Sequence, residues 1–136
     1  MKILFSSKCL EFEEPGHPES PSRVKACYEF LKKQFDFIEP EPCSDKDLLL
    51  VHDKRLVESV KNNAFVSGDS PNLPNIYNYA RLAAGSAIKA MELALKNELA
   101  CGGTFKDNTV ELQGDHRKKI KPALVKLGFE EDSIED

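Results

Sequence analysis

The sequence predicts a mixed α/β fold: a small sheet, with parallel strands in the N-terminal part and an antiparallel hairpin near the other end, packed with about five helices. Three observations predict it. Two short apolar runs, "KILFS" at residues 2–6 and "FDFI" at 35–38, are separated by a helical stretch long enough for a parallel crossover. Residues 75–98 carry the longest helical pattern in the chain. After Gly102-Gly103 the period changes from that of a helix to that of a strand.

Each element has a local cause. The run "KILFS" passes quickly into polar residues, as a buried first strand does. Ser20 can cap a helix whose first position is Pro21, where a missing N–H costs nothing. Val24, Cys27, Tyr28, Leu31 and Phe35 then recur on one face, which places Cys27 in a core. A second strand in "FDFIEPEP" is cut off by Pro40 and Pro42, which donate nothing to a ladder. Ser44 and Asp47 form a capping box ahead of "LLLVH", and Leu56, Val57 and Val60 continue a helical face. The stretch "SGDSPNLPN" is a loop. In the long helix, "AAGSA" (Ala83 to Ala87) lets another backbone come close, and Ile88, Met91 and Leu95 extend the apolar stripe. Thr104-Phe105 and Thr109 to Gln113 form a hairpin turning through "KDN". Asp115 can cap a final helix with Ile120, Leu124 and Leu127 facing inward, which Gly128 stops. Pro122 sits inside that helix, where it removes a backbone bond unless the helix kinks or begins nearby.

Composition narrows the function classes. The chain has 136 residues, 40% of them apolar and 31% charged, which suits one ordinary domain or two small ones. Its net charge of -4 creates no global attraction for nucleic acid or an acidic membrane, so any such contact is local. No apolar run of about 18 residues is present, and Met1 to Ser7 is too short for a secretory core; a cytoplasmic location with no membrane partner is expected. Cys9, Cys27, Cys43 and Cys101 are irregularly spaced with no C-x-x-C pair, as expected of free thiols.

Three motifs in order, "GHPESPSR", "LLLVHDKRLVESV" and "GDSPN" followed by "YNYARLAAGSAIKAMELAL", resemble the opening of the histone deacetylase and acetylpolyamine amidohydrolase family over about residues 1–98. That family's fold is a large α/β domain with a parallel sheet, hydrolysing acetyl-lysine-like amides at a zinc ion held by two aspartates and a histidine. From about residue 97, "ACGGT", "LQGDHR" and "LGF" resemble the second half of translation initiation factor one, a small ribosome-binding factor. The resemblances imply two incomplete segments, 1–98 and 99–136, in a chain that looks like a chimera or truncated fusion, natural or engineered. They overlap on "ALKNELA", so the seam falls inside or at the end of one helix.

The family's paired active-site histidines, D-x-H metal motif, second metal aspartate and oxyanion-stabilising tyrosine have no counterpart in this sequence. His17, His52 and His116 stand in three unrelated contexts, and His17 and His52 match scaffold positions. Zinc hydrolysis needs about three converging ligands and a base. The expectation is therefore no catalytic residue, no metal ligand and no cofactor, and a chain without enzymatic activity of its own. By resemblance alone, Arg23 matches an arginine of the inner channel and Asp69 a rim aspartate that holds substrate backbone. The simpler reading, and the preferred one, is a surface ion-pairing arginine for Arg23 and plain turn chemistry for Asp69. The second resemblance implies ribosomal RNA or the small ribosomal subunit as partner, through Lys106, Arg117, Lys118, Lys119 and Lys121; a solvated helix face explains the same charges. Apolar surface orphaned in each segment implies either mutual cover or a homo-oligomer.

Overall fold

The computed structural model describes residues 2–11, 20–66, 73–106 and 109–135. It divides into two compact units, Met1–Ser86 and Ala87–Asp136. Among the described residues there are five α-helices, a parallel two-stranded sheet and a separate antiparallel hairpin, a mixed α/β fold.

In the first unit, β1 (Lys2–Leu4) pairs in parallel with β2 (Asp36–Ile38), setting Ile3 opposite Phe37, and α1 (Pro21–Leu31) lies between them in sequence. Phe5, Tyr28 and Phe37 form the aromatic cluster of this βαβ unit. Tyr28 stacks on Phe5 at 4.5 Å between centroids and meets Phe37 edge-on at 5.1 Å. Ser6 is buried just beyond β1, its hydroxyl donating to Glu39.

Pro21 takes the first helical position, as its sequence indicates, but the Ser20 hydroxyl makes no cap bond and lies 2.6 Å from that of Ser22. The expected core face of α1 is narrower than its period. Only Tyr28 and Leu31 on that stripe are partly covered; Cys27 is exposed, as is Val24, because a two-stranded sheet offers too little surface to cover both. The helix ends at Leu31, so Phe35 lies in the turn before β2 rather than on the helical stripe.

The capping box is present: the Ser44 N–H donates to Asp47 Oδ2 at 2.6 Å and the Asp47 N–H to Ser44 Oγ at 3.2 Å. It starts a shorter helix than the pattern suggests. Here α2 spans Asp45–Leu48, and Leu49 to Val51 form an exposed turn. Asp53 begins a new helix, α3 (Lys54–Lys61), by accepting the Leu56 N–H at 2.9 Å. An Asp at that position offers the backbone a competing bond, and the helical face is interrupted there. The helix closes with Asn63 at φ 55°, and the Asn63 and Ala64 N–H groups return to Val60 and Ser59, a Schellman ending.

The helix α4 (Ile76–Glu98) begins in the first unit. Gly85 faces the segment 41–43, where a Cβ would meet the Glu41 carbonyl oxygen and lie 2.7 Å from the Cys43 nitrogen. The small-residue run therefore does what its composition predicts. Arg81 and Cys43 tie the same contact: the Cys43 N–H donates to the Arg81 carbonyl at 3.0 Å, and Arg81 Nε returns a bond to the Cys43 carbonyl at 2.6 Å.

In the second unit, α4 ends in a Schellman turn whose left-handed residue is Ala100 at φ 48°, with N–H bonds from Ala100 to Asn97 and Cys101 to Lys96. The strands β3 (Gly103–Lys106) and β4 (Thr109–Leu112) follow; the turn residues Asp107 and Asn108 lie outside the described residues. Phe105 pairs with Val110 on the half-buried face, and Lys106 with Thr109 on the exposed one. Finally α5 (Arg117–Lys126) contains Pro122 and buries Ala123. Leu127, expected inward, caps the helix at the surface, because the chain reverses immediately after it at Gly128, φ 100°. Leu95, in α4, is the most deeply buried apolar residue of this unit.

Replacing Gly85 with alanine is expected to destabilise the first unit by about 1–3 kcal/mol or more, since the new methyl meets backbone that has no flexible end to move. Thermal denaturation followed by circular dichroism checks it. A melting temperature equal to the parent's would refute the close approach.

Candidate functional site

The basic residues of the second unit are presented by a corner between β4 and α5. Gly114 adopts φ 101°, a left-handed conformation that favours glycine, and turns the chain out of the hairpin. His116 then occupies the cap position in place of the expected Asp115, which stands one residue earlier. Its Nε2 lies 2.7 Å from the Gln113 carbonyl, which can only accept, so Nε2 carries the proton and Nδ1 is left buried with no partner among the described residues. Gly102 packs against the Gln113 side chain, and Gly103 against the backbone of Glu111 and Leu112. The "CGGT" and "LQGD" stretches are thus two halves of one close backbone contact.

Arg117, Lys118 and Lys119 fill the first turn of α5, which has no acidic residue. The helix dipole is positive at that end, so three cations there oppose it. Arg117 is strongly exposed and forks onto Asp115, with Nε to Oδ1 at 3.0 Å and Nη2 to Oδ2 at 2.7 Å. The arginine holds the Asp115 carboxyl below the usual range, and the carboxylate raises the guanidinium in turn. Lys118 and Lys119 are exposed; Lys121 is half-buried, its Nζ 3.4 Å from the Ile134 carbonyl. Lys106 is exposed on the hairpin, on a different element from the other four. Lys126 bonds Glu98 at 2.6 Å, linking α5 to the end of α4.

The same unit holds a buried carboxylate that the sequence reading missed. Glu92 is 3% exposed, with Lys89 Nζ at 2.7 Å from one oxygen and Lys96 on the other. Burial pushes its carboxyl up, but the two ammonium groups together hold it below the ordinary value. The signal was available, because Lys89, Glu92 and Lys96 stand at i, i+3 and i+7 on one helix.

In the first unit Arg23 is exposed on α1, its N–H bonded to the Ser20 carbonyl at 3.3 Å. Asp69 and His17 lie outside the described residues, and His52 is exposed. A carboxylate cluster stands elsewhere. Asp45 accepts the Tyr77 hydroxyl at 2.5 Å and Lys61 Nζ at 3.0 Å, with Arg81 Nε at 3.9 Å. Both cations also lie over the Tyr77 ring. The Tyr77 bond, then Lys61, lower the Asp45 carboxyl, while burial and that carboxylate push the Tyr77 hydroxyl up. An open cleft of about 310 Å³ has Lys8, Glu11, Asn75 and Asn78 in its lining, drawn from segments too far apart in sequence to signal it.

Zinc, which the resemblance implies, does not fit what is described: among the described residues no three His, Cys, Asp or Glu side chains converge as a metal would require. All four cysteines are free.

Comparison with known proteins bears on both segments. The histone deacetylase domain matches residues 17–107. The chain belongs to the histone deacetylase domain family. A second kinship covers part of this deacetylase-family chain. The protein translation factor SUI1 homolog of Methanocaldococcus jannaschii is 65% identical over 52 residues, which is 37% of this chain and 50% of the relative. That of Cenarchaeum symbiosum is 45% identical over 75 residues, 55% of the chain and 62% of the relative, and that of Thermococcus onnurineus 63% over 41 residues, 30% and 42%. The chain spans about half the length of these curated relatives. Residues 1–16 and 108–136 lie outside the deacetylase match, fewer together than 52, so a 52-residue kinship necessarily shares residues with it. Both resemblances read from the sequence thus have a counterpart, the deacetylase domain as the chain's family and the translation factor SUI1 homologs as relatives over part of it. No helix of the described residues is long and apolar enough to cross a membrane.

The electrostatics of Glu92 give a pH test. Its folded-state pKa is depressed, so its stabilisation is complete above the ordinary value of 4.5 and is lost as pH falls through the folded value. Glu92→Gln is expected to cost about 1–3 kcal/mol at neutral pH. The gap from the parent narrows below about pH 4. Urea denaturation across that range measures it, and a gap independent of pH would show the ion pairs contribute nothing.

Proposed function

We propose that this chain binds RNA phosphates through the first turn of α5, in association with the small ribosomal subunit, and that its deacetylase-related segment serves as folded support without hydrolysing amides. The observation that carries the binding role is the run Arg117, Lys118 and Lys119, exposed at a helix end whose dipole already disfavours cations. Such a local conflict is the mark of a site kept for a ligand, here an anionic one. Kinship to translation factor SUI1 homologs supports a nucleic acid backbone as that anion. The Asp115 fork presents the Arg117 guanidinium in the plane that a phosphate would take over, a geometry to which arginine is suited. Lys121 and Lys106 extend the field rather than form the turn itself.

Co-sedimentation with small ribosomal subunits across a salt series tests this reading. Contacts from Arg117, Lys118, Lys119 and Lys121 give a salt slope of about −3 for single-stranded RNA, and replacing all four with glutamine removes it. Binding unchanged by that replacement rejects the site.

Support for a non-catalytic first segment comes from the sequence: three histidines in separate motifs, with Asp115 and His116 adjacent rather than spaced as D-x-H. In this reading two family segments meet in one chain, with the seam near residues 98–99 at the end of α4. An acetyl-lysine peptide assay with zinc supplied is expected to show no turnover; zinc-dependent release of acetate would reverse it.

A further inference from the structure

We propose that the acidic segment Glu130–Glu135 is a built-in competitor for phosphate at the basic turn of α5; this rests on the RNA-binding reading above. Gly128 is the pivot. With φ 100°, it lets the Gly128 N–H bond the Val125 carbonyl at 3.0 Å and the Phe129 N–H bond the Leu124 carbonyl at 3.1 Å, the two bonds of a Schellman ending. That ending reverses the chain. A short 3₁₀ turn at Glu131–Ser133 follows, fastened by the Ser133 hydroxyl to the Glu130 carbonyl at 2.7 Å. The reversed segment then reaches back to α5, where Ile134 is half-buried and its carbonyl lies 3.4 Å from Lys121 Nζ, a contact spanning 13 positions in sequence. One of the candidate phosphate-binding cations is therefore already engaged by the segment.

The segment carries Glu130, Glu131, Asp132 and Glu135, all exposed. Four carboxylates are tethered to the cationic helix through the turn at Gly128 and the Ile134 contact with Lys121, and at physiological salt screening acts over about 8 Å. They lower the local potential that attracts an RNA backbone, and a phosphate chain occupying the turn must displace or repel them. Lys121 is the point where both compete.

The test uses the full chain and fluorescence anisotropy with a labelled oligouridylate of about 12 nucleotides. Three variants are compared with the parent: Glu130→Gln/Glu131→Gln/Asp132→Asn/Glu135→Gln; the glutamine replacement of Arg117, Lys118, Lys119 and Lys121; and Glu29→Gln/Asp36→Asn/Glu41→Gln/Glu58→Gln, exposed positions of the first unit that change net charge equally. Neutralising the acidic segment is expected to tighten binding roughly 3- to 10-fold at low salt, with the gain fading as salt rises. The charge control shows less than a third of that gain. An acidic-segment variant that binds as the parent does, or a control that gains equally, overturns the competitor. If the basic-turn variant binds as tightly as the parent, the RNA-binding reading itself fails, a separate result.

Discussion

Without a side chain at Gly85, the segment 41–43 can run against the backbone of α4, and the packing of the first unit follows from that approach. Cys43 and Arg81 exchange two hydrogen bonds across it, which satisfies backbone groups that a proline-bounded segment would otherwise leave unpaired. The same contact places Asp45, two residues on, beside Tyr77 and Arg81 one turn apart on α4, and within reach of Lys61 on α3. A carboxylate that accepts from Tyr77 and Lys61, with Arg81 in ion-pair range, orients two helices more definitely than apolar contact alone would. Burial of Cys43 in the joint also pushes its thiol up, so the one buried cysteine is kept as the unreactive neutral form.

Features set by a few neighbouring residues were legible in the sequence. The Ser44–Asp47 box, the stop at Gly128, the hairpin around Phe105 and Val110 and the small-residue face at Gly85 each have a chemical cause within a few positions. What failed depended on how much surface another element supplies. The stripe through Val24 and Cys27 has a helical period, but the aromatic cluster of Phe5, Tyr28 and Phe37 covers only one edge of α1. The face read through "LLLVHDKRLVESV" broke because Asp53 can start a helix as readily as it can sit inside one.

The candidate basic site was legible as composition and not as geometry. Five cations were marked, yet only three share the first turn of α5, while Lys106 lies on β3 and Lys121 faces Ile134. Sequence spacing reports which residues are near along the chain. It does not report that the chain turns back after Gly128, nor that Asp115, marked as a cap, stands one residue before the cap position, where it accepts the Arg117 N–H and also takes the Arg117 fork. His116 belongs to the same class: a polar residue in a charged stretch proves to be wedged into the corner, one ring nitrogen buried.

A helix is a tolerant place for two sequence families to share residues. Its backbone bonds run between positions four apart, so each turn is satisfied by its own neighbours whatever lies beyond the ends. In α4 the demands of the two units fall on different turns: Tyr77, Arg81 and Gly85 serve the first, while Glu92, Leu95 and Glu98 serve the second. No residue of the helix must meet both sets at once. Ala100 shows where the tolerance ends, because a Schellman turn prefers glycine at the position it holds, and the glycines arrive only at 102 and 103, where the hairpin needs them to close on Glu111 and Gln113. The strain of a left-handed alanine is thus the local cost of placing both glycines in the hairpin.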